Sequence, residues 1–339
     1  DILKAINEAM EGKHFEEFKD IDYLPEKLGK RVLTTGGHFG YLKIAEGCDK
    51  HCTYCIIPKL RGKFRSVPME RLIEQAKEMA EEGVKELILV AQETTVYGTD
   101  IYGKKSLHVL LKELCEIKGI RWIRVLYCYP EEIYDELIQT MKEEKKICHY
   151  LDLPIQHASD RILKRMGRRT TQAELVAIVN KLRQEIPDIV LRTTLISGFP
   201  GETQEDHEEL MGFVDEMEFD RLGVFTYSAE EDTPAATMPD QVPEEVKEER
   251  RDEIMELQQE ISYDKGTDRI GQELLVMIEG KVADESAYIG RTYGDAPKVD
   301  GYIFVQTGEL LMTGDFAKVR VTGALEYDLI GELADEYTE

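Results

Sequence analysis

The chain has 339 residues, of which 42% are hydrophobic and 33% are charged. This length and composition exclude a peptide hormone, a small disulfide scaffold and a disordered chain, and they favour two domains or one barrel with an appended module. Lys and Arg number 43 against 68 Asp and Glu, so the formal net charge is −25 at pH 7. A field of this sign repels phosphates, so we expect a basic macromolecular partner.

The start of the chain has neither the basic nor the apolar region of a signal peptide, and no apolar run is long enough for a membrane span. We therefore expect a cytoplasmic protein with no membrane partner. The chain opens at Asp1 in what looks like the end of a helix. We expect residues 1–32 to be a remnant of an upstream domain or linker.

From about residue 33 to residue 234, short apolar runs alternate with amphipathic charged runs, which is typical of βα units around a parallel sheet. The pattern predicts six strands, at 41–46, 86–91, 122–128, 150–155, 190–196 and 221–227. It predicts helices between them, at 69–82, 107–117, 131–144, 160–166, 172–185 and 204–217. A full eightfold barrel would need two more units, so we predict a six-unit α/β domain.

The texture of the chain changes after residue 234. Residues 235–265 contain a Pro-, Ala- and Thr-rich stretch and then a highly charged helical pattern, so they predict a linker helix. Residues 266–339 form a separate module with short β-rich segments, at 273–278, 288–291, 301–305 and 316–323. We expect a small all-β barrel there, since closing so short a sheet removes its exposed edges.

Three of the six cysteines lie within eight residues, directly after the first predicted strand. Cys48, Cys52 and Cys55 form a C-x3-C-x2-C motif, and three thiolates from one loop can hold three irons of a cubane cluster while the fourth iron stays open. The alternative is a structural zinc site completed by His51, His38 or a remote cysteine, or three unligated thiols. The spacing differs from the usual C-x2-C pair of zinc sites, so we favour the cluster.

The cysteine motif, with Tyr54 before its last cysteine, resembles the signature of the radical S-adenosylmethionine (SAM) enzymes. From about residue 33 to residue 331 the chain resembles one branch of that superfamily, the methylthiotransferases, and within it the type that modifies a ribosomal protein. The segments that carry the resemblance are AQETT (91–95), RVLYCYP (124–130), DLPIQHAS (152–159), KRMGR (164–168), Arg192, GFPGET (198–203) and RTYGDAPKVDG (291–301).

The resemblance implies a fold and a reaction. The fold is a partial (β/α)6 radical SAM barrel, about 33–234, followed by a TRAM domain, a small OB-like β-barrel, at 266–339. The reaction adds a methylthio group to the β-carbon of an aspartate in small-subunit ribosomal protein twelve, and an external electron donor reduces the cluster. The alternatives are a transfer-RNA adenosine methylthiotransferase and a non-enzymatic ribosome-binding module with a structural metal site.

The resemblance also implies the cofactors. One 4Fe-4S cluster is held by Cys48, Cys52 and Cys55 with SAM on its open iron, and a second cluster belongs to an upstream domain of the family. No cysteine precedes Cys48 in this sequence. We therefore expect the chain to be the radical-generating and TRAM part, which cleaves SAM without completing methylthiolation. No side chain beyond the cluster ligands is assigned a catalytic role.

Polar residues that follow parallel strands face the mouth of such a barrel, where active sites lie. Partly on this ground and partly by resemblance, we predict a set of SAM-binding residues, namely Tyr54, Gln92, Glu93, Arg124, Gln156, Arg192 and Gly198. The predicted substrate-binding residues are Tyr127, Tyr129, His157 and Arg168. The alternatives are that these side chains cap strands or close ion pairs, and that the glycine-rich run 198–203 is only a structural turn. That run lacks the lysine and hydroxyl of a phosphate loop, which excludes nucleoside triphosphate binding there.

Residues 268–339 contain 15 acidic and 6 basic residues, so the β module carries a net charge of −9. An RNA-binding surface is expected to be basic, so RNA contact is disfavoured. A module this acidic favours a positively charged protein, and ribosomal proteins are of that kind.

Overall fold

A computed structural model describes residues 2–17, 20–24, 33–283 and 285–334 of the chain. The segment interpreted above as an upstream remnant lies partly outside these ranges. Its described part contains helix α1 (Ile2–Met10), of which no residue is buried.

The elements lie close to their predicted positions. The strands are β1 (Phe39–Lys43), β2 (Ala45–Glu46), β3 (Arg65–Ser66), β4 (Glu86–Val90), β5 (Trp122–Val125), β6 (Ile147–Asp152), β7 (Val190–Ser197), β8 (Arg221–Thr226), β9 (Glu273–Lys281), β10 (Ala287–Arg291), β11 (Ile303–Gln306), β12 (Phe316–Ala324) and β13 (Leu329–Leu333). The helices after α1 are α2 (Ile57–Arg61), α3 (Met69–Glu81), α4 (Thr99–Tyr102), α5 (Leu107–Cys115), α6 (Asp135–Glu143), α7 (Asp160–Arg165), α8 (Gln172–Glu185), α9 (Gln204–Met217) and α10 (Glu244–Thr267).

The six predicted strands of the first domain form one parallel sheet in the order β1-β4-β5-β6-β7-β8. This sequential order, with helices between the strands, is the predicted partial α/β barrel. Strands β4 and β5 are buried along almost their whole length, because helices cover one face and the barrel interior the other. The strand ends differ from prediction by up to three residues, because the apolar pattern continues after β5 and β6 have left the sheet.

Five helices, namely α3, α5, α7, α8 and α9, begin at the predicted residue, and two of these starts are fixed by reciprocal caps. The side chain of Thr171 at the start of α8 accepts from the backbone N–H of Glu174, and that of Thr203 at the start of α9 accepts from the backbone N–H of Asp206. In each case the carboxylate of the third helical residue accepts from the backbone N–H of the capping threonine. Such reciprocal capping satisfies backbone groups that a helix start leaves unpaired, which explains the sharp boundaries. The predicted helix at 131–144 is instead a short 3-10 helix, Pro130–Glu132, followed by α6.

The C-terminal module is a closed barrel in the order β10-β11-β13-β12-β9. The prediction of a small β-barrel is confirmed, but it omitted β13. This strand is short and contains Gly331, so its sequence alone signals a strand weakly. It completes the barrel by pairing with β11 in parallel and with β12 in antiparallel orientation.

The β module closes the amino end of the first domain. Side chains of the barrel strands, among them Phe39, Trp122 and Val190 at strand starts, form one buried cluster with residues of the module, and Trp122 meets Phe316 edge to face at 4.8 Å between ring centroids. The cysteine loop that follows β2 is not part of this cluster. Among the described helices, none has the length and apolar character that crossing a membrane requires.

Candidate functional site at the carboxyl end of the barrel

The three motif cysteines lie on the loop between β2 and α2, at the carboxyl end of the barrel. None of them forms a disulfide; Cys48 and Cys52 are buried, and Cys55 is half-buried. Gly47 starts the loop with a φ of +76°, and a Cβ atom there would lie 2.1 Å from the carbonyl oxygen of Lys63. Only glycine therefore lets the chain enter the loop at this point.

Thr53, in the middle of the loop, anchors the cysteines to the rest of the barrel. Its backbone N–H donates to the carbonyl of Met166 at 2.9 Å, and its hydroxyl donates to the carbonyl of Arg165 at 2.9 Å. Its own carbonyl accepts from the N–H of Ala235 at 2.9 Å. The KRMGR segment therefore positions the cysteine loop from the end of α7.

Hydrogen-bonding groups lie beside two of the three sulphur atoms. The backbone N–H of Lys50 donates to Cys48 Sγ at 3.4 Å, and the hydroxyl of Tyr129 lies 3.3 Å from Cys52 Sγ. The Arg168 guanidinium lies 4.4 Å from the ring centroid of Tyr129. Burial raises the pKa of Cys48 to about 11, so iron has to displace a proton there, as metals do at thiol ligands.

Glu93, which is buried, and Gln92, which is partly buried, follow β4, and each has one buried oxygen without a hydrogen-bond partner in the described residues. Glu93 Oε1 accepts from the N–H of Thr95 at 2.9 Å, whereas Glu93 Oε2 and Gln92 Oε1 have no partner in the described residues. Burial raises the pKa of Glu93 to about 7. Its charge in turn raises the pKa of Cys48, so the carboxyl lies near the cysteines. Buried acceptors are almost always paired in native proteins, so these atoms suit a bound donor such as the ammonium of SAM.

Two non-glycine residues at this end adopt left-handed backbone conformations. Tyr127, after β5, has φ 60°, and Gln156, after β6, has φ 74°. The carbonyl of Tyr127 accepts from the N–H of Thr94 at 3.1 Å, and the N–H of Gln156 donates to the carbonyl of Thr194 at 2.9 Å. Residues held in such conformations cluster at functional sites. The Tyr127 side chain is 48% exposed.

The structure brings together a large part of the predicted site. Tyr54 packs edge to face against Phe199, and burial together with the Cys52 thiol raises the pKa of Tyr54. The predicted residues placed on the cysteine loop or on the segments that follow β4, β5, β6 and α7 are Cys48, Cys52, Tyr54, Cys55, Gln92, Glu93, Tyr127, Tyr129, Gln156 and Arg168.

Arg124 lies elsewhere, which corrects its predicted SAM-binding role. It is fully buried; its Nε donates to Glu86 Oε1 at 2.8 Å, and its Nη1 donates to the carbonyl of Tyr293, in the β module, at 2.6 Å. Glu86 is the first residue of β4 and therefore lies at the amino end of the barrel. Arg124 therefore forms an ion pair within the protein, with Glu86, which was the alternative to its predicted role in SAM binding.

Arg192 also closes ion pairs within the protein. Its Nη1 donates to Asp152 Oδ1 at 2.8 Å, and its Nε lies 3.4 Å from Asp300 Oδ1 of the β module. Both carboxylates are buried. The Arg192 guanidinium therefore pairs with two carboxylates of the protein and not with the SAM carboxylate that was predicted as its partner.

His157 and Gly198 have internal packing roles. His157 is fully buried, with its Nε2 3.5 Å from Glu202 Oε2, so it offers no surface to a substrate. The Arg168 side chain, which is 1% exposed, likewise offers no surface to a substrate, although it lies at the site. Gly198 has φ +68°, and a Cβ atom there would lie 2.2 Å from the Cγ of Lys247 on α10. Glycine is thus required at this position by the close approach of the linker helix. This agrees with the alternative that the run 198–203 is a structural turn.

The sequence analysis missed Lys50, Thr95 and Glu132. The Lys50 ammonium forms an ion pair with Glu132, and Thr95 Oγ1 accepts from the backbone N–H of Tyr129 at 3.2 Å. Their signal in the sequence was proximity, since Lys50 lies between two motif cysteines and Thr95 lies in the AQETT segment. Their contacts tie the cysteine loop to the segment 129–132.

No group of three or more His, Cys, Asp and Glu side chains in the described part of the chain is arranged to hold a single metal ion. A cubane cluster takes one thiolate at each of three irons, so its cysteines need not converge on one point. The free thiols, the N–H and O–H groups beside them, and the unpaired acceptors of Gln92 and Glu93 fit a 4Fe-4S cluster with SAM.

The chain resembles known proteins over nearly its whole length. Residues 42–214 match the family model of the Radical SAM superfamily, and residues 270–334 match that of the TRAM domain. A curated protein of Lachnoclostridium phytofermentans, named ribosomal protein uS12 methylthiotransferase RimO, is 64% identical over 97% of this chain and 75% of its own length. The protein of the same name from Clostridium perfringens strain ATCC 13124 is 53% identical over 99% of this chain and 75% of its own length.

One solved structure supports the fold. The Escherichia coli coproporphyrinogen III oxidase HemN, described as a radical SAM enzyme, is similar with a TM-score of 0.52 at 17% identity. The similarity covers 84% of this chain and 66% of that one. It confirms the α/β fold of the first domain. At this low sequence identity the similarity says nothing about the reaction.

Proposed function

This chain belongs to the ribosomal protein uS12 methylthiotransferases of the radical SAM superfamily, and from that premise we propose that it acts in transferring a methylthio group to the β-carbon of an aspartate of uS12. The observation that carries the proposal is the carboxyl end of the barrel. There, three free thiols share this end with Glu93, whose charge reaches Cys48, and with Gln92, and each of these two side chains has one buried oxygen without a partner in the described residues. The proposed units are the radical SAM domain at 33–234, the linker helix at 235–265 and the TRAM domain at 266–339.

Cys48, Cys52 and Cys55 are the proposed ligands of a 4Fe-4S cluster, and Thr53 holds their loop in place. When bound and reduced by an external electron donor, the cluster supplies the electron that cleaves SAM. The chain's own side chains position this cofactor and exclude water, since Cys48 and Cys52 are buried. The positive charges of Lys50 and Arg168 lie over the ring of Tyr129, whose hydroxyl contacts Cys52, and are proposed to offset part of the negative charge of the thiolates.

Glu93 and Gln92 are the proposed partners of SAM. The free Oε2 of Glu93 can accept from the ammonium of SAM, and the free Oε1 of Gln92 can accept a second bond. Tyr54, which lies against Phe199, is proposed to border the adenine. A bound ammonium also favours the ionised form of Glu93, because an opposite charge offsets the burial that raises its pKa.

The proposed substrate is basic. With a net charge of −25 the chain attracts a positively charged protein, and the half-exposed Tyr127 lies at the open end of the barrel where a substrate loop would enter. RNA is not part of the proposal, because the net charge of −9 over residues 268–339 opposes contact of the TRAM domain with phosphates. A ribosomal substrate implies a cytoplasmic location, which is part of the proposal.

The proposal is tested first by iron analysis and electron paramagnetic resonance on anaerobically reconstituted, dithionite-reduced protein. We expect about four irons per chain from this site and a spectrum that SAM perturbs. A chain that binds no iron, or a cluster that does not respond to SAM, would contradict the proposed cofactor site.

The substrate is tested separately by binding. We expect a uS12 peptide that contains the aspartate loop to bind more tightly than an adenosine-containing RNA stem-loop of equal concentration. A peptide with the same composition in scrambled order is the control for charge alone. Preference for the RNA would favour a transfer-RNA substrate instead.

A further inference from the structure

We propose that Tyr129 sets the reduction potential of the cluster by donating a hydrogen bond to the sulphur of Cys52. The inference rests on the proposed function, because it requires a cluster on Cys48, Cys52 and Cys55. Tyr129 acts through Cys52, so it is a positioning residue for the reaction. Its effect is on the ease with which the cluster accepts the electron that cleaves SAM.

The geometry places the phenol against the sulphur. The hydroxyl of Tyr129 lies 3.3 Å from Cys52 Sγ, and either group can donate while the cysteine is a thiol. An iron-bound cysteine is a thiolate without a proton, so the phenol is then the donor. Reduction adds negative charge to the cluster, and a donor at a sulphur stabilises that charge. Hydrogen bonds to the sulphurs are among the factors that set cluster potentials.

Two cations lie over the ring of Tyr129. The Arg168 guanidinium is 4.4 Å and the Lys50 ammonium 5.1 Å from the ring centroid. Positive charge over the ring draws electron density away from the hydroxyl, which makes the O–H more acidic and therefore a stronger donor. The arrangement thus combines a hydrogen-bond donor with two positive charges that strengthen it.

The cations and the tyrosine are themselves held in place. The Nη2 of Arg168 donates to the carbonyl of Pro154 at 3.0 Å and lies 3.6 Å from Glu131 Oε2, and the Arg168 side chain is 1% exposed. Lys50 pairs with Glu132. The backbone N–H of Tyr129 donates to Thr95 at 3.2 Å. The hydroxyl therefore points at Cys52 without help from a substrate.

The test is a redox titration, followed by electron paramagnetic resonance, of the reconstituted chain and its Tyr129→Phe variant. We expect both to hold about four irons. The equilibrium constant for one-electron reduction should fall roughly three- to tenfold in the variant, since a charge-assisted hydrogen bond is lost. A tenfold fall corresponds to a midpoint potential about 59 mV more negative.

Tyr134→Phe is the matched control. Tyr134 also has a cation over its ring, Lys105 at 5.3 Å, but its hydroxyl contacts His108 at 3.0 Å. We expect its midpoint potential to equal that of the unmodified chain. An unchanged potential in Tyr129→Phe, or an equal shift in Tyr134→Phe, would overturn the inference.

A second variant keeps the test decisive if Tyr129→Phe takes up no cluster. Replacing Tyr129 with 3-fluorotyrosine, titrated at a pH below the pKa of the fluorinated phenol, keeps the ring and a protonated hydroxyl but makes the O–H a stronger donor, so the potential should become more positive. An unchanged midpoint potential in this variant would overturn the inference. The presence of the cluster would still support the proposed cofactor site. An unmodified chain without iron would instead defeat the proposed function and this inference together.

Discussion

Two buried glutamates at opposite ends of the barrel differ in how they are paired. At the amino end, which the β module covers, both oxygens of Glu86 are paired, one with Arg124 at 2.8 Å and the other with Arg291 at 2.6 Å. At the carboxyl end, Glu93 is equally buried, yet one of its oxygens has no partner in the described residues. Because burying an unpaired acceptor costs stability, the difference separates a scaffold from a site that takes a ligand.

The largest expected effect is at the cysteines. Cys52→Ser should lower the iron content of the reconstituted chain from about four irons to a small fraction of that and abolish reductive SAM cleavage, because the motif then supplies two thiolates. Iron analysis and detection of cleaved SAM measure both. Cys115→Ser, in a buried cysteine on α5, is the control and should keep its iron. Equal iron in Cys52→Ser and the unmodified chain would contradict the assignment of the cluster ligands.

The next effect is on the paired end. Glu86→Gln should lower the free energy of unfolding by about 3–5 kcal/mol, because it leaves Arg124 and Arg291 buried without their shared carboxylate. Urea denaturation measures it. Glu273→Gln, which breaks the exposed pair with Arg320, should cost no more than about 1 kcal/mol. If the two variants lost equal stability, burial would not be what distinguishes the pairs.

Glu93→Gln should act in the opposite direction. The pKa of Glu93 is raised to about 7, so the folded state binds more protons than the unfolded state between its ordinary pKa and that value. The unfolding free energy of the metal-free chain therefore falls as the pH rises through this window, by at most about 3 kcal/mol. Glu93→Gln should remove that loss and be the more stable form at pH 8, as urea denaturation at pH 5 and pH 8 would show.

The same variant should weaken SAM binding by about tenfold or more at pH 8, because a charge-assisted bond to the ammonium is lost. Glu132→Gln is a control in which the unfolding free energy at pH 8 should change in the opposite direction. Its carboxylate pairs with Lys105 and its pKa is lowered, so the variant should lose stability at pH 8. A Glu93→Gln chain that was less stable than the unmodified chain at pH 8 would show that Glu93 is paired after all.

The smallest effect concerns a single hydroxyl at the closed end. Tyr293→Phe keeps the ring against the barrel but removes the hydrogen bond to the carbonyl of Asp188, which measures 2.8 Å. We expect a loss of about 1 kcal/mol in unfolding free energy and no change in iron content. A change in iron content would mean that the closed end influences the cysteine loop.

The sequence analysis succeeded with the repeating elements and failed with individual arginines. Each of the six strands carries its own apolar run, so its position is local information. Arg124 and Arg192 also lie in strands, and their neighbours in sequence do not reveal their partners. Glu86 lies 38 residues before Arg124, and Asp300 belongs to another domain. The segment 291–301 was noticed only for its resemblance, whereas the structure shows that it supplies these interdomain partners.

The sequence by itself determined the six βα units, the small β-barrel and the cysteine motif, because periodicity and spacing are properties of neighbouring residues. It also placed Gln92, Glu93, Gln156 and His157 at the carboxyl ends of strands, which share one edge of a parallel sheet, whereas Tyr127 and Tyr129 were predicted from the family resemblance. Only the tertiary structure decided which buried charges are paired. Pairing depends on distances of a few ångströms between segments far apart in the chain, and packing sets those distances.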